Sequence, residues 1–158
     1  MSTRSGIGYD LHRLASGRKL ILGGVEVPFD KGPVGHSDGD VLAHAICDAV
    51  LGAAGLGDIG THFPDTDPKW KGVSSLHFLE RVSQLLVDRG LSIRQIDAVV
   101  ITEKPRLGPY FAPMRKALAH ALGIEPGQIN LKAKTNEGVD AIGRGEAIAT
   151  HAIATLEG

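Results

Sequence analysis

Apolar and polar residues along this chain alternate with two periods, and the switches between them mark out the elements. Short alternating stretches at about 4–12, 19–22 and 24–28 read as strands, the last two turning at Gly23-Gly24 as a hairpin. Over 39–54 the period lengthens to that of a helix, with Leu42, Ala45, Ile46, Ala49 and Ala53 on one stripe. Ser37 or Asp38 is placed to cap its start and Gly55 to end it. A stretch rich in Gly, Asp and Pro fills 57–72 without regular periodicity. A second helix is predicted over 73–89, with Leu76, Leu79, Val82 and Leu86 inward and Gly90 as its stop. Residues 96–102 read as a buried strand, and 109–122 as a third helix with Met114, Leu118, Ala121 and Leu122 inward. Over 129–135, Ile129, Leu131, Ala133 and Thr135 face one way and Asn130, Lys132 and Lys134 the other. The last segment, 146–157, is alanine-rich, but Ile148, Thr150, Ile153 and Thr155 favour a strand. Together these predict a single α+β domain over 1–158: a mixed four-stranded sheet plus a hairpin, with three helices on one face.

Length supports that reading, since 158 residues suit one sizeable core. A formal charge of −1 supplies no basic field for nucleic acid, and 4% aromatic content offers few platforms for stacked bases. No apolar run approaches the roughly 18 residues of a membrane-spanning helix. The first six residues carry no signal or transit pattern, so a cytoplasmic location is expected. Cys47 stands alone, which excludes an intrachain disulfide; inside the first helix it is expected to act as a small buried hydrophobe.

The residues able to do chemistry gather at a few points. Asp10 and His12 lie two apart on the first strand and so project from the same face. His44, beside rather than within the apolar stripe of the first helix, can add a third ligand from a packed neighbour. Three ligands drawn from His and carboxylate, with no thiolate, suit a catalytic zinc with an open position better than a closed structural one. On spacing alone, however, a lone helix histidine is more often a hydrogen-bonded core or surface residue. His36, next to Ser37 at the same helix start, can donate to an arriving phosphate. The 57–72 stretch reads either as a binding loop or as a surface connection whose aspartates form turns. At 101–109 a strand end runs into a helix start, where free amides can bind an anion or a base edge, unless it is an ordinary connection with solvated cations. Glu137 can help coordinate Mg²⁺ or sit exposed at a turn. Arg144, between two glycines, suits close approach to a diphosphate, or pairs with Glu146 at the surface.

In order along the chain stand Gly8-Tyr9-Asp10-x-His12, Gly23-Gly24, His36-Ser37-Asp38-Gly39-Asp40, His44, Leu51-Gly52-Ala53, Gly57-Asp58-Ile59-Gly60, Phe63-Pro64-Asp65-Thr66-Asp67-Pro68 and Gly143-Arg144-Gly145-Glu146. With these motifs the chain resembles, over nearly its whole length, the 2-C-methyl-D-erythritol 2,4-cyclodiphosphate synthase family of the non-mevalonate isoprenoid pathway.

The resemblance implies conversion of 4-diphosphocytidyl-2-C-methyl-D-erythritol 2-phosphate to the 2,4-cyclodiphosphate with release of CMP, the substrate's own 2-phosphate attacking the β-phosphorus. It assigns Asp10, His12 and His44 to Zn²⁺ or another divalent cation, and Glu137 to a Mg²⁺ or Mn²⁺ bridging the diphosphate. His36 and Thr135 take the role of stabilising the transition state. Asp58, Ile59 and Gly60, with Phe63, Pro64, Asp65, Thr66 and Asp67, are implied to hold the erythritol. Thr102, Glu103, Lys104, Pro105, Arg106, Leu107 and Gly108, with Ala133, Lys134 and Thr135, are implied to receive cytidine and its α-phosphate. Ser37, Asn136, Ala141 and Arg144 complete the substrate contacts, alongside Asp10, His12, His36 and Glu137. The family is a homotrimer about a threefold axis with active sites between subunits and an apolar central channel, Arg144 falling near one end. The chain departs from the commoner pattern at Ala141 (often aromatic), Lys134 (often threonine) and Arg106 (often lysine). Two other readings use the same residues: a zinc phosphohydrolase with Asp58 or Asp65 as base, and a metal-stabilised trimeric binding module.

Overall fold

The computed structural model describes residues 1–158. In chain order it contains β1 (Thr3–Ser16), β2 (Leu20–Leu22), β3 (Val25–Val27), β4 (Lys31–Pro33), α1 (Val41–Ala54), α2 (Ile59–His62), α3 (Leu76–Val87), β5 (Ser92–Ile101), α4 (Phe111–Leu122), β6 (Ile129–Lys134), α5 (Asp140–Gly143) and β7 (Ala147–Glu157). Five strands form one mixed sheet in the order β4-β1-β7-β5-β6, and β2 pairs with β3 as a separate hairpin. Only β5 and β6 are parallel, and α4 lies on the crossover that joins them. β1 and β7 pair antiparallel from Thr3↔Glu157 to Arg13↔Ala147, which brings the two ends of the chain together. No helix is long and apolar enough to cross a membrane.

Along β1, Gly6, Gly8, Asp10, His12 and Leu14 turn toward the helical layer, whereas Ile7, Tyr9 and Leu11 turn outward and are exposed. The two glycines explain how closely α1 lies on the strand. A Cβ on Gly8 would stand 1.8 Å from the Ala45 carbonyl oxygen, and one on Gly6 would stand 2.2 Å from that of Ala49. The strand numbers rise while the helix numbers they meet fall, so the two elements run in opposite directions. Asp10 and His12 therefore emerge where α1 begins.

Of the residues in α1, only His44, Asp48 and Gly52 escape burial. The helix is apolar nearly all round because the sheet covers one side while α3 and the hairpin cover the other. The expected single stripe is thus too narrow a description. Cys47 is fully buried, as expected.

Four other expectations are corrected. β4 adds a fifth strand to the sheet, pairing Leu14↔Pro33 to Ser16↔Lys31; three residues containing Gly and Pro carry no period that a sequence pattern could reveal. The cap of α1 is Asp40, not Ser37 or Asp38: Gly39 turns at φ +71°, and the Ala43 N–H donates to Asp40 Oδ1 at 2.9 Å. The 57–72 stretch is not structureless, because Asp58 caps α2 and Asp67 caps a single 3₁₀ turn over Pro68–Trp70. β5 begins at Ser92, earlier than predicted, its register shifted between Ile93 and Gln95 against β7.

Candidate active site

Asp10 and His12 come from adjacent inward positions of β1, and His44 from the first turns of α1. Their ligand atoms converge. His12 Nε2 and His44 Nδ1 each lie 3.0 Å from Asp10 Oδ2, and the two nitrogens are 3.3 Å apart. Ligands about 2.0–2.1 Å from a tetrahedral zinc stand about 3.3 Å from one another, so this spacing fits such an ion with little movement. The outer side of His12 is set by the backbone: the Val34 carbonyl oxygen lies 3.0 Å from Nδ1 and can only accept, so Nδ1 carries a proton, while Nε2 donates to Asp10 when the ring is charged and turns a lone pair to the centre when it is neutral. Burial would raise the Asp10 pKa, but the bonds to His12 and His44 outweigh it and hold the carboxyl at about 2. Burial would lower the His12 pKa, but its bond to Asp10 and the Asp10 charge raise it. A carboxylate that stays ionised beside two converging imidazoles is the donor set a divalent cation needs.

The triad opens on a cavity of about 510 Å³ that His36, Ser37, Ile59, Gly60, Phe63, Pro64 and Asp65 help to line. His36 Nε2 donates to the Asp67 carbonyl at 3.1 Å, and Asp58 accepts from the Thr61 amide and hydroxyl; Thr66 is exposed, and Asp58, Thr66 and Asp67 do not line the cavity. Val34, Gly35, Trp70 and Phe78 also line this cavity and were not foreseen. Val34 acts on His12 through its carbonyl, Gly35 has no side chain to signal a role, and Trp70 and Phe78 pack with the apolar core. Phe63, Trp70 and Phe78 pack edge and face against one another, forming the apolar wall.

A second cavity of about 340 Å³ is lined by Thr102, Glu103, Pro105, Arg106, Leu107, Gly108, Ala133, Lys134 and Thr135. It shares no lining residue with the first. The parallel pair β5–β6 builds it, setting the ends of both strands side by side. The Thr102 hydroxyl donates to the Lys104 carbonyl at 2.7 Å, and Glu103 Oε1 accepts from the Asn136 amide at 2.8 Å. Glu137 sits in the turn beyond, at φ +52°. Within one chain, therefore, Thr135 and Glu137 do not meet the triad. Ala141 packs against the small cluster of Ile142, Ala147 and Ala149, outside both cavities. Arg144 Nε donates to Glu146 Oε1 at 3.0 Å in an exposed pair, the plainer of the two readings of that motif.

Known proteins agree with this architecture. The model of the YgbB family matches residues 3–157. A 2-C-methyl-D-erythritol 2,4-cyclodiphosphate synthase from Desulfosudis oleivorans is 56% identical over 153 residues, covering 97% of this chain and 91% of that protein. The solved structure of a 2C-methyl-D-erythritol-2,4-cyclodiphosphate synthase in a CDP-bound form superposes with a TM-score of 0.89 at 40% identity, over 98% of this chain and all (100%) of that one. The bifunctional IspDF of Campylobacter jejuni superposes with a TM-score of 0.94 at 39% identity, over 98% of this chain and 42% of that one. Matched by the family model over residues 3–157 and by such relatives over nearly its whole length, this chain belongs to the YgbB family, the family of the 2-C-methyl-D-erythritol 2,4-cyclodiphosphate synthases.

Proposed function

We propose that the protein converts 4-diphosphocytidyl-2-C-methyl-D-erythritol 2-phosphate to 2-C-methyl-D-erythritol 2,4-cyclodiphosphate and CMP, acting as a phosphorus–oxygen lyase. The observation that carries this reading is the convergence of Asp10, His12 and His44 at the mouth of a cavity in a chain 56% identical to a protein of that name. An oxygen of the 2-phosphate forms the new bond to the β-phosphorus as the bond from that phosphorus to the CMP oxygen breaks, so no water and no protein nucleophile are consumed. The chain's work is positioning and charge neutralisation. When bound, Zn²⁺ or a similar divalent cation at the triad supplies Lewis-acid polarisation of the β-phosphate, and Mg²⁺ or Mn²⁺ near Glu137 offsets charge on the diphosphate.

In this reading Ile59, Gly60, Phe63, Pro64 and Asp65 wrap the erythritol and exclude water from the diphosphate, with Asp58, Thr66 and Asp67 contributing from the same stretch of chain. The cavity at Thr102–Gly108 and Ala133–Thr135 receives cytidine, Lys134 and Arg106 adding charge near its α-phosphate. His36 and Thr135 donate to the phosphoryl oxygens, and Ser37, Asn136 and Arg144 contribute polar contacts. The separation of the two cavities within one chain supports a homotrimer in which the second cavity of one subunit faces the triad of the next. The exposed outer row Ile7, Tyr9, Leu11 and Ile153 supports the same assembly, since an apolar sheet face of this kind marks an interface. A hydrolase would need a general base, and Asp58 suits that poorly because the Thr61 hydroxyl and amide hold its pKa down.

Phosphorus NMR of the product tests the assignment: cyclic diphosphate with CMP supports it, and free phosphate from the diphosphocytidyl substrate sinks it. His44→Ala should abolish turnover and leave the fold intact; a large loss of melting temperature with no turnover in the native protein would favour a binding module instead. Leu11→Glu should lower the mass in sedimentation from trimer to monomer, and an unchanged monomeric mass in both proteins removes the assembly.

A further inference from the structure

Two residues that ordinarily cap helices are diverted from that task here. Ser75 immediately precedes α3 and is 1% exposed, yet its side chain makes no capping bond. Asp38 precedes α1, but Asp40 does the capping. Instead, the Ser75 hydroxyl lies 2.7 Å from His44 Nε2, on the side of the ring away from the triad, and also donates to Asp38 Oδ1. Asp38 accepts in addition from the Ser75 amide at 3.0 Å and the Asp40 amide at 3.1 Å.

The direction of the protons follows from counting them. A hydroxyl has one hydrogen, and a carboxylate that collects these donors can only accept. With its hydrogen on Asp38, Ser75 must accept from His44, so Nε2 carries the ring proton. In the neutral ring Nδ1 is then the bare nitrogen, on the side that faces Asp10. The Ser37 hydroxyl, 3.2 Å from the same Nε2, flanks this contact.

We infer that Asp38 and Ser75 are positioning residues that fix His44 in the tautomer presenting Nδ1 to the cation. The inference rests on the metal reading of Asp10, His12 and His44 given above. The chain of bonds runs from a carboxylate through a hydroxyl to the imidazole, and such outer partners set both ring orientation and ligand basicity. It also joins α1 to the segment that closes the 57–72 stretch, because the Asp38 amide donates to the Val73 carbonyl at 3.2 Å. His44 is thereby tied to the wall of its own cavity.

The test uses the full-length protein freed of metal and titrated with Zn²⁺ against a chromogenic chelator. Ser75→Ala and Asp38→Asn should each weaken zinc binding by roughly 10- to 100-fold. Ser75→Thr, which keeps the hydroxyl, should bind within a few-fold of the native protein. Circular dichroism melting of the metal-free variants should change little. Histidine-labelled native protein, loaded with zinc and examined by long-range ¹H–¹⁵N correlation, should show His44 metallated at Nδ1 and protonated at Nε2. Equal zinc affinity in the native and Ser75→Ala proteins, or a protonated Nδ1, overturns the inference while leaving the metal site standing. Failure of the native protein to bind zinc at all overturns both. If Ser75→Ala does not fold, the tautomer spectrum of the native protein and the affinity of Asp38→Asn decide.

Discussion

Gly8 offers the sharpest test of how the fold builds the triad. Ala45, whose carbonyl oxygen would stand 1.8 Å from a Cβ at position 8, is backbone of α1 and cannot swing aside like a flexible side chain. Since real Cβ atoms essentially never come within 3.0 Å of such a group, Gly8→Ala forces strand and helix apart by roughly 1 Å. Overpacking of this kind costs about 1–3 kcal/mol, and the rigid obstacle places it near the top of that range. The lower unfolded-state entropy of alanine returns about 0.5–1 kcal/mol, leaving a net loss of about 2 kcal/mol. With a urea slope of about 2 kcal/mol/M, the midpoint should fall by about 1 M at fixed protomer concentration. Because Asp10 and His12 ride on β1 and His44 on α1, the same separation should weaken zinc binding. Gly52→Ala is the matched control. It lies in α1 with its nearest neighbours 3.9 Å away, so it should raise stability by up to about 1 kcal/mol. A Gly8→Ala midpoint equal to the native one, or a Gly52→Ala protein less stable than Gly8→Ala, would refute the close-approach argument.

Other outcomes follow from single residues. The His12 pKa is raised in the metal-free protein, so its contribution is complete below about pH 6.5 and disappears as pH rises through the raised value. The melting temperature of metal-free protein should therefore decline as pH rises from neutral, and His12→Asn should flatten that decline; a melting temperature that climbs over this window contradicts the sign. Asp40 is fully buried and accepts from the Gly23, Gly24 and Ala43 amides, so Asp40→Ala strands all of them and should cost about 3 kcal/mol or more. Hydrogen exchange should then quicken first at Gly23 and Gly24, and unchanged protection there would refute the anchoring role. The Thr150 hydroxyl is buried without a partner, so Thr150→Val should raise stability by about 1 kcal/mol in denaturant unfolding; a loss of that size would show a hidden bond.

Much of the site was legible because it rests on short-range geometry. Asp10 and His12 share a face by the two-residue period of a strand, and His44 was readable as a helical residue at the edge of an apolar stripe. The 101–109 and 132–135 segments could be marked as strand ends, and they do meet along the parallel pair β5–β6. By contrast, Asp38 read as a cap candidate and Ser75 carried no signal at all, because their real partners lie across the fold. Trp70 and Phe78 bear no mark of a site in the sequence, and it is their packing with Phe63 that makes them a cavity wall.

The amino-acid order alone thus determined where the longer strands and helices form and which residues could ligate a cation, since those properties depend on neighbours within a turn or two. Tertiary structure decided the rest: the β4-β1-β7-β5-β6 order, the capture of the hairpin by Asp40, and the proton arrangement that leaves His12 Nε2 and His44 Nδ1 facing Asp10. The physical reason is that a hydrogen-bonding group takes whichever partner packing brings within about 3 Å, and packing is set by the whole core rather than by adjacent residues.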